Sequence, residues 1–331
     1  MSPDQDTQRP GLRLGTSVGL GLVSPQQLAD VVDEVRRAAQ LGLAGAWWNE
    51  VFSWDALTAL AVAGARVPGI PLGTAVVTTP RRHPVTLASQ ALTAQAATGN
   101  RLTLGIGPSH RSIVESALGL AWDRPARRVR AYLEVLLPLL RGAPVEARND
   151  FHRVAAQVAV PGAEPPPVLL AAHGPNMLRI AGELADGALA TWTSPRVVAD
   201  HIVPHLTAAA AGRPAPRVVV SLPVSVTDDP DGARDRVARQ FGVANELPSY
   251  RFVLDLAGAA GVHETVIVGD EAAVAAELRR HAEAGTTELI AAPFGPPEAV
   301  ARTLRLLAEL TAPATGAAPR AATPAPAAPA P

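Results

Sequence analysis

The feature that most constrains this chain is a rhythm. Short apolar runs rich in Val, Leu, Ile and Ala alternate with longer amphipathic stretches along most of its length. Leu12–Val18 reads as a first strand, followed by a helix that opens at Ser24-Pro25 and reaches Gln40. Gly45–Trp48 and Leu72–Val77 read as the second and third strands, with helices over Trp54–Arg66 and from His83-Pro84 to Thr98. Leu102–Ile106 is the fourth, with a helix over Arg127–Leu140, and Val168–Ala172 the fifth, with a helix from Asn176 to Ala185. Ala188–Ala190 is a short sixth before a helix from Pro195. Val218–Val226 is the seventh, and Leu289–Ala292 the eighth, closed by a helix over Glu298–Leu310. Such alternation predicts parallel strands joined by helical crossovers. Eight units in 331 residues predict an α/β fold of the (β/α)8 barrel type. An open doubly wound sheet usually carries a glycine fingerprint after its first strand, and Gly15 with Gly19–Gly21 does not fit that spacing.

This division predicts one barrel domain over residues 12–311, a disordered start over 1–11 and a disordered Ala/Pro-rich tail over 312–331. Three segments exceed simple crossovers: Pro108–Pro125, Arg141–Pro167 and Gly242–Asp270. Long loops on a rigid scaffold usually shape a pocket.

Composition removes several chemistries. The chain has no cysteine, so disulfides, zinc-thiolate sites and cysteine nucleophiles are excluded, and a cytoplasmic home is expected. It has no lysine either, since all 29 basic residues are Arg. Schiff-base aldolases, pyridoxal-phosphate enzymes and P-loops need that amine. A formal charge of −1 without a basic stripe argues against nucleic acid or an anionic membrane as partner. No apolar run is long enough to span a bilayer uninterrupted. A small organic substrate is the partner left.

In a barrel the chemistry sits where strands end. Those ends read Trp48-Asn49-Glu50, Thr74–Pro84, Leu104–His110, Ala171–Asn176 and Thr191-Trp192-Thr193. With Leu87–Gln90, Thr98–Gly107, Val168–Gly187 and Val268-Gly269-Asp270, they resemble the bacterial luciferase-like monooxygenase superfamily, in particular its coenzyme F420-dependent oxidoreductases. The resemblance runs over about residues 12–310 and rests on the order and spacing of the segments together. It implies hydride transfer through coenzyme F420, with reduced FMN and a monooxygenase reaction as the alternative, and a homodimer.

The resemblance also implies site residues. In this family a bulge after the third strand, often with a non-proline cis peptide, backs the coenzyme ring; here it maps onto Val76-Val77, with Thr78 beside it. Read from the residues alone, this stretch is equally an ordinary buried strand. Gly107 ends the fourth strand without a side chain and would let a ring lie close. His110 follows on the same loop, where the family carries a polar or acid/base residue; it is the candidate catalytic group, or else a loop histidine capping a carbonyl. Ala172-His173-Gly174-Pro175-Asn176 runs into a helix whose first amides suit the coenzyme phosphate, or is a plain turn capped by Asn176. Asn49 and Glu50 match a coenzyme contact, or are ordinary loop polars.

Three other patterns are weaker. Gly15-Thr16-Ser17-Val18-Gly19 has the form of a hydrolase elbow, but that elbow needs an immediate strand–Ser–helix turn, so Ser17 is only a remote nucleophile candidate. His201 and His205 lie one turn apart with no third ligand. Gly105-x-Gly107 lacks the third glycine of a dinucleotide fingerprint.

Overall fold

The computed structural model describes residues 11–19 and 27–311. The Ser24-Pro25 helix start, residues 1–10 and the segment 312–331 lie outside the described residues.

The first half of the chain gives β1 (Arg13–Val18), α1 (Leu28–Gln40), β2 (Ala46–Trp48), α2 (Ala56–Arg66), β3 (Leu72–Thr74), β4 (Val77–Thr78), α3 (Pro84–Thr98), β5 (Leu102–Gly107) and α4 (Pro125–Leu140). A small antiparallel hairpin follows, β6 (Val145–Arg148) and β7 (Arg153–Ala156). Then come β8 (Val168–Ala171), α5 (Pro175–Leu184) and β9 (Gly187–Thr191). The next helix starts as α6 (Pro195–Val197) and passes through a π turn over Val198–Ile202 into α7 (Val203–Ala209). The rest is β10 (Arg217–Val226), α8 (Pro230–Phe241), α9 (Pro248–Ala257), β11 (Ile267–Gly269), α10 (Glu271–Glu283), β12 (Glu288–Pro293) and α11 (Pro297–Leu310).

The strands β1, β2, β3, β5, β8, β9, β10 and β12 form a parallel ring that closes on itself, because β12 pairs with both β10 and β1. The eight-stranded barrel expected from the alternation is therefore present. Closure leaves no free edge. β11 adds a short parallel partner to the far end of β10.

The helices pack their apolar faces on the barrel. α4 buries Val129, Leu133, Leu136 and Leu140, spaced four, three and four residues apart on one face. Truncating such a residue, for example Leu133→Ala, costs about 2–5 kcal/mol. Helix starts are fixed locally: Asp55 caps α2 by accepting from the Thr58 amide at 2.8 Å, and Gly99 ends α3 at φ +65°. No described helix is long and apolar enough to cross a membrane.

Four expectations need correction. The third strand is not continuous over Leu72–Val77 but breaks between β3 and β4. The pairing offset with β5 drops there, from 30 at Gly73↔Thr103 (103 minus 73) to 29 at Val77↔Ile106 (106 minus 77). One extra residue is thus inserted, which defines a β-bulge. Thr74 makes room for it: its Oγ1 donates to Gly105 O at 2.7 Å and accepts from Gly105 N at 2.9 Å, standing in for the ladder. The bulge carries a non-proline cis peptide at Ala75-Val76, one residue before the Val76-Val77 pair singled out in the sequence.

Second, Asn176 is not a cap: Gly174 is, and the helix starts at Pro175. Third, the excursion Arg141–Pro167 holds the β6–β7 hairpin. Fourth, Gly242–Asp270 is no open loop but contains α9 and β11, while α8 and α10 fill crossovers that the sequence reading left without helices.

Candidate functional site

Inside the barrel, Trp47, Leu169, Leu189, Val219 and Ile290 form one buried cluster, a single layer of inward side chains. Gly73 faces Trp47, and a Cβ there would sit 2.2 Å from the indole, so glycine makes space for the ring. Below this layer Glu288 accepts from Trp47 Nε1 at 3.0 Å and Arg217 Nη2 at 2.8 Å, and Arg217 also donates to Thr103 Oγ1 at 3.2 Å. That network closes the end where the strands begin.

Side chains alternate along a strand, so the next inward positions lie two residues on. They are small: Ala171, Thr191, Ser221 and Ala292, all half-buried. Ala75 and Val76 of the bulge pack on the plug from above and are half-buried too. Short, half-buried side chains around the bulge thus leave the strands' C-terminal end partly open to solvent, a shallow hollow above the plug.

The bulge is seated by glycines. A Cβ on Gly105 would come within 2.0 Å of Thr74 O, and one on Gly107 within 2.9 Å of Ala171 Cβ and 3.0 Å of Val76 Cγ2. The space beside Gly107 is filled by the protein itself, so this glycine acts by seating Val76. Val77 is fully buried and belongs to the main core around the helices, so only its backbone faces the hollow side. Thr78 sits at the rim, and its Oγ1 is buried without a hydrogen-bond partner.

Glu50 is pinned by the protein. Its carboxylate accepts from Arg82 at 2.7 and 2.9 Å, Arg81 at 3.1 Å and the Ala56 amide at 3.1 Å, and it is buried. It ties the loop after β2 to the loop after β4, while its neighbour Asn49 is exposed at the same rim.

Across the mouth, Gly174 caps the ten-residue α5, and a Cβ built on it meets nothing within 4 Å. Pro175 has no N–H, and the amides of Met177 and Leu178 both return to Gly174 O, which leaves Asn176 to present its amide at the helix start. His173, just before, is buried: its Nε2 accepts from the Thr191 amide at 3.1 Å, and burial pushes the imidazole down to about 4. It is a neutral tie between β8 and β9. His201 donates to His173 O at 2.7 Å, and no group of metal-ligating side chains occurs among the described residues.

His110 lies half-buried on the loop after β5, its pKa lowered by burial. Its Nε2 is 3.2 Å from the Tyr250 hydroxyl and its Nδ1 is 3.4 Å from Ser249 Oγ. The two rings stand 4.8 Å apart at 69°. Tyr250 also meets His173 edge-on at 5.6 Å and Trp192 at 6.5 Å. Ser109 and Trp192 adopt left-handed backbone at φ +67° and +53°, unusual for side chains of this kind.

The structure thus brings Val76, Thr78, Gly107, His110 and His173 to one mouth, with Gly174, Asn176 and Asn49 on its rim. It turns the side chains of Val77 and Glu50 away from it. Sequence reasoning missed Tyr250 and Ser249, and marked Trp192 only as part of a strand end. Tyr250 was legible only as one of two tyrosines in the chain, inside a segment read as loop. Ser17 lies within β1, paired in register with Trp47, and not on a strand–helix elbow.

A closed parallel barrel with a hollow at the strands' C-terminal ends, a bulged third strand and a histidine at the rim defines a barrel-type enzyme site. Residues 9–313 match the family model for luciferase-like monooxygenases. The chain belongs to that family, and with it to the oxidoreductases. One relative, an uncharacterised protein of Mycobacterium tuberculosis, is 29% identical over 72% of this chain and 75% of its own. Another, 5,10-methylenetetrahydromethanopterin reductase of Methanolobus tindarius, is 26% identical over 68% and 70%. Among solved structures, the coenzyme F420-dependent tetrahydromethanopterin reductase of Methanopyrus kandleri superposes with a TM-score of 0.72, at 22% identity over 91% of this chain and 99% of that one. A type II Baeyer-Villiger monooxygenase component from Pseudomonas putida, in complex with FMN, gives 0.73 at 16% identity over 92% and 99%.

Proposed function

We propose that this chain binds coenzyme F420 across the barrel mouth and moves hydride between it and a small, uncharged organic substrate. The observation that carries the reading is the half-exposed floor made by Ala75 and Val76 over a filled apolar plug, ringed by Ala171, Thr191, Ser221 and Ala292. A flat ring can lie on such a floor, and short walls leave room for it. The coenzyme, when bound, supplies the hydride chemistry; the protein supplies orientation, anchoring and the proton.

Val76, with Gly107 seating it, would back the ring, and the backbone of Val77 with the unpartnered Thr78 hydroxyl would meet its polar edge. The open space at Gly174, with the Asn176 amide and the positive end of the α5 dipole, would take the phosphate. Ala172, His173 and Pro175 fix the approach of that turn, and Asn49 closes the opposite rim. Glu50 acts at one remove, by locking Arg81 and Arg82 in place. His110 would exchange the proton that accompanies hydride transfer. The inward wall positions are neutral, which suits a substrate without charge.

The same floor would accept FMN, and the FMN-bound neighbour makes a monooxygenase the second reading. Separate calorimetric titrations of the purified protein with F420 and with FMN decide between them. Micromolar or tighter binding of F420 with weak FMN binding is expected; the reverse preference overturns the proposal in favour of the monooxygenase. The chain is also proposed to pair with a second copy, which a molar mass measured in solution checks.

A further inference from the structure

We propose that Tyr250 and Ser249, both on α9, are positioning residues that hold His110 in a single tautomer, with its proton on Nδ1. This rests on the hydride-transfer reading, because it concerns how the proton of that reaction is delivered. Tyr250 Oη lies 3.2 Å from Nε2, a distance that suits either tautomer, and the donor role assigned to it follows from the phenol being the stronger acid of the two hydroxyls at this ring. A nitrogen that accepts carries no hydrogen, so the ring proton sits on Nδ1. Only the longer contact of 3.4 Å to Ser249 Oγ holds that side. Nδ1–H is therefore the more readily released proton, and Nε2 the one fixed by the protein.

Burial supports the arrangement. It keeps His110 below the ordinary imidazole range and pushes Tyr250 up to about 12, so at neutral pH the pair consists of a neutral imidazole and a neutral phenol. The other groups around the ring do not supply a proton. His173, from the turn after β8, is held neutral against the same tyrosine. On its own segment, Arg111 is paired to Glu115 at 2.9 Å.

A neutral imidazole can protonate a substrate oxygen only if its second nitrogen is resupplied. With a bound coenzyme supplying hydride to a carbonyl carbon, the Nδ1–H bond would break as the substrate O–H bond forms. At the same time Tyr250 O–H breaks and Nε2–H forms. The phenolate then recovers its proton from Nε2 while solvent supplies one to Nδ1, which restores the starting tautomer. In the direction of alcohol oxidation the same bonds exchange in reverse.

The test is 15N NMR of the His110 imidazole in the full-length, coenzyme-free protein. The native chain should show the proton on Nδ1. Tyr250→Phe removes a donor that favours the neutral ring, so the tautomer should shift toward Nε2–H and the titration midpoint of His110 should rise. Ser249→Ala removes an acceptor for Nδ1–H and should not raise it. A folded Tyr250→Phe protein with unchanged tautomer and midpoint overturns the inference. So does a native protein with its proton on Nε2. Should Tyr250→Phe fail to fold, the tautomer of the native protein alone decides. Because the readout needs no coenzyme, absence of F420 binding would defeat the functional reading and leave this one standing. F420 binding with no tautomer shift would do the opposite.

Discussion

At the scale of single residues, this site separates groups that face the hollow from groups that hold it in shape. Glu50 is the clearest of the second kind. It ends a strand beside exposed Asn49, and in sequence the two are equivalent loop polars; only burial and four protein donors tell them apart. Removing Glu50 would strip the buried guanidinium of Arg82, whose side chain is 8% exposed, of its bidentate partner and leave it Asp55 alone. Glu50→Ala should therefore lower unfolding free energy by about 1.5–3 kcal/mol, read from urea denaturation. A loss below about 1 kcal/mol would mean that these ion pairs contribute no more than exposed surface pairs do. His110 could be named from sequence because its strand-end position and titration range are local properties. Tyr250 could not, because its partner lies 140 residues away and no local pattern announces that pairing.

At the scale of elements, the bulge and the α5 start are the two places where backbone builds function. Gly105 has no space for a side chain, since the atom facing its missing Cβ is the Thr74 carbonyl oxygen, which cannot swing aside. Gly105→Ala should cost about 1–3 kcal/mol or more by thermal denaturation and should weaken coenzyme binding through a displaced Val76. Gly174 is the contrast, because its missing Cβ points into open space. Gly174→Asp should leave the melting temperature nearly unchanged yet reduce coenzyme affinity tenfold or more in a binding titration, by placing a carboxylate where the phosphate docks. Unchanged affinity would move the phosphate elsewhere. The eight strands were readable because β8, β10 and β12 are apolar runs bounded by turns. The break after Thr74 was not, because Ala75, Val76 and Val77 continue the strand composition, and the extra residue shows only in the register with β5. Helices α8 and α9 hid behind charged and mixed stretches that read as surface loop.

At the scale of the whole molecule, stability should depend on pH through histidines buried far from one another. His173 and His281 are both held neutral, with pKa values pushed to about 4 from an ordinary 6.5. The unfolded chain binds protons at these sites between those values while the folded one does not. Stability is therefore fully present above about pH 6.5 and falls toward pH 4, by on the order of 3 kcal/mol per histidine. His281→Gln should flatten that slope in denaturation curves between pH 4.5 and 7 (roughly the span of the shift); an unaltered slope would show His281 to be protonated when folded. Barrel closure reaches further still. Arg13 of β1 pairs in register with Glu288 of β12, 275 positions later (288 minus 13). A ribosome adding 5–20 residues per second needs roughly 15–55 s to cover that interval. For all of it the nascent β1 lacks its β12 neighbour, and Trp47, made soon after β1, lacks the carboxylate that accepts from its Nε1–H. The seam of this enzyme is thus sewn from its end: until β12 has been made, β1 and β10 have no strand to join them.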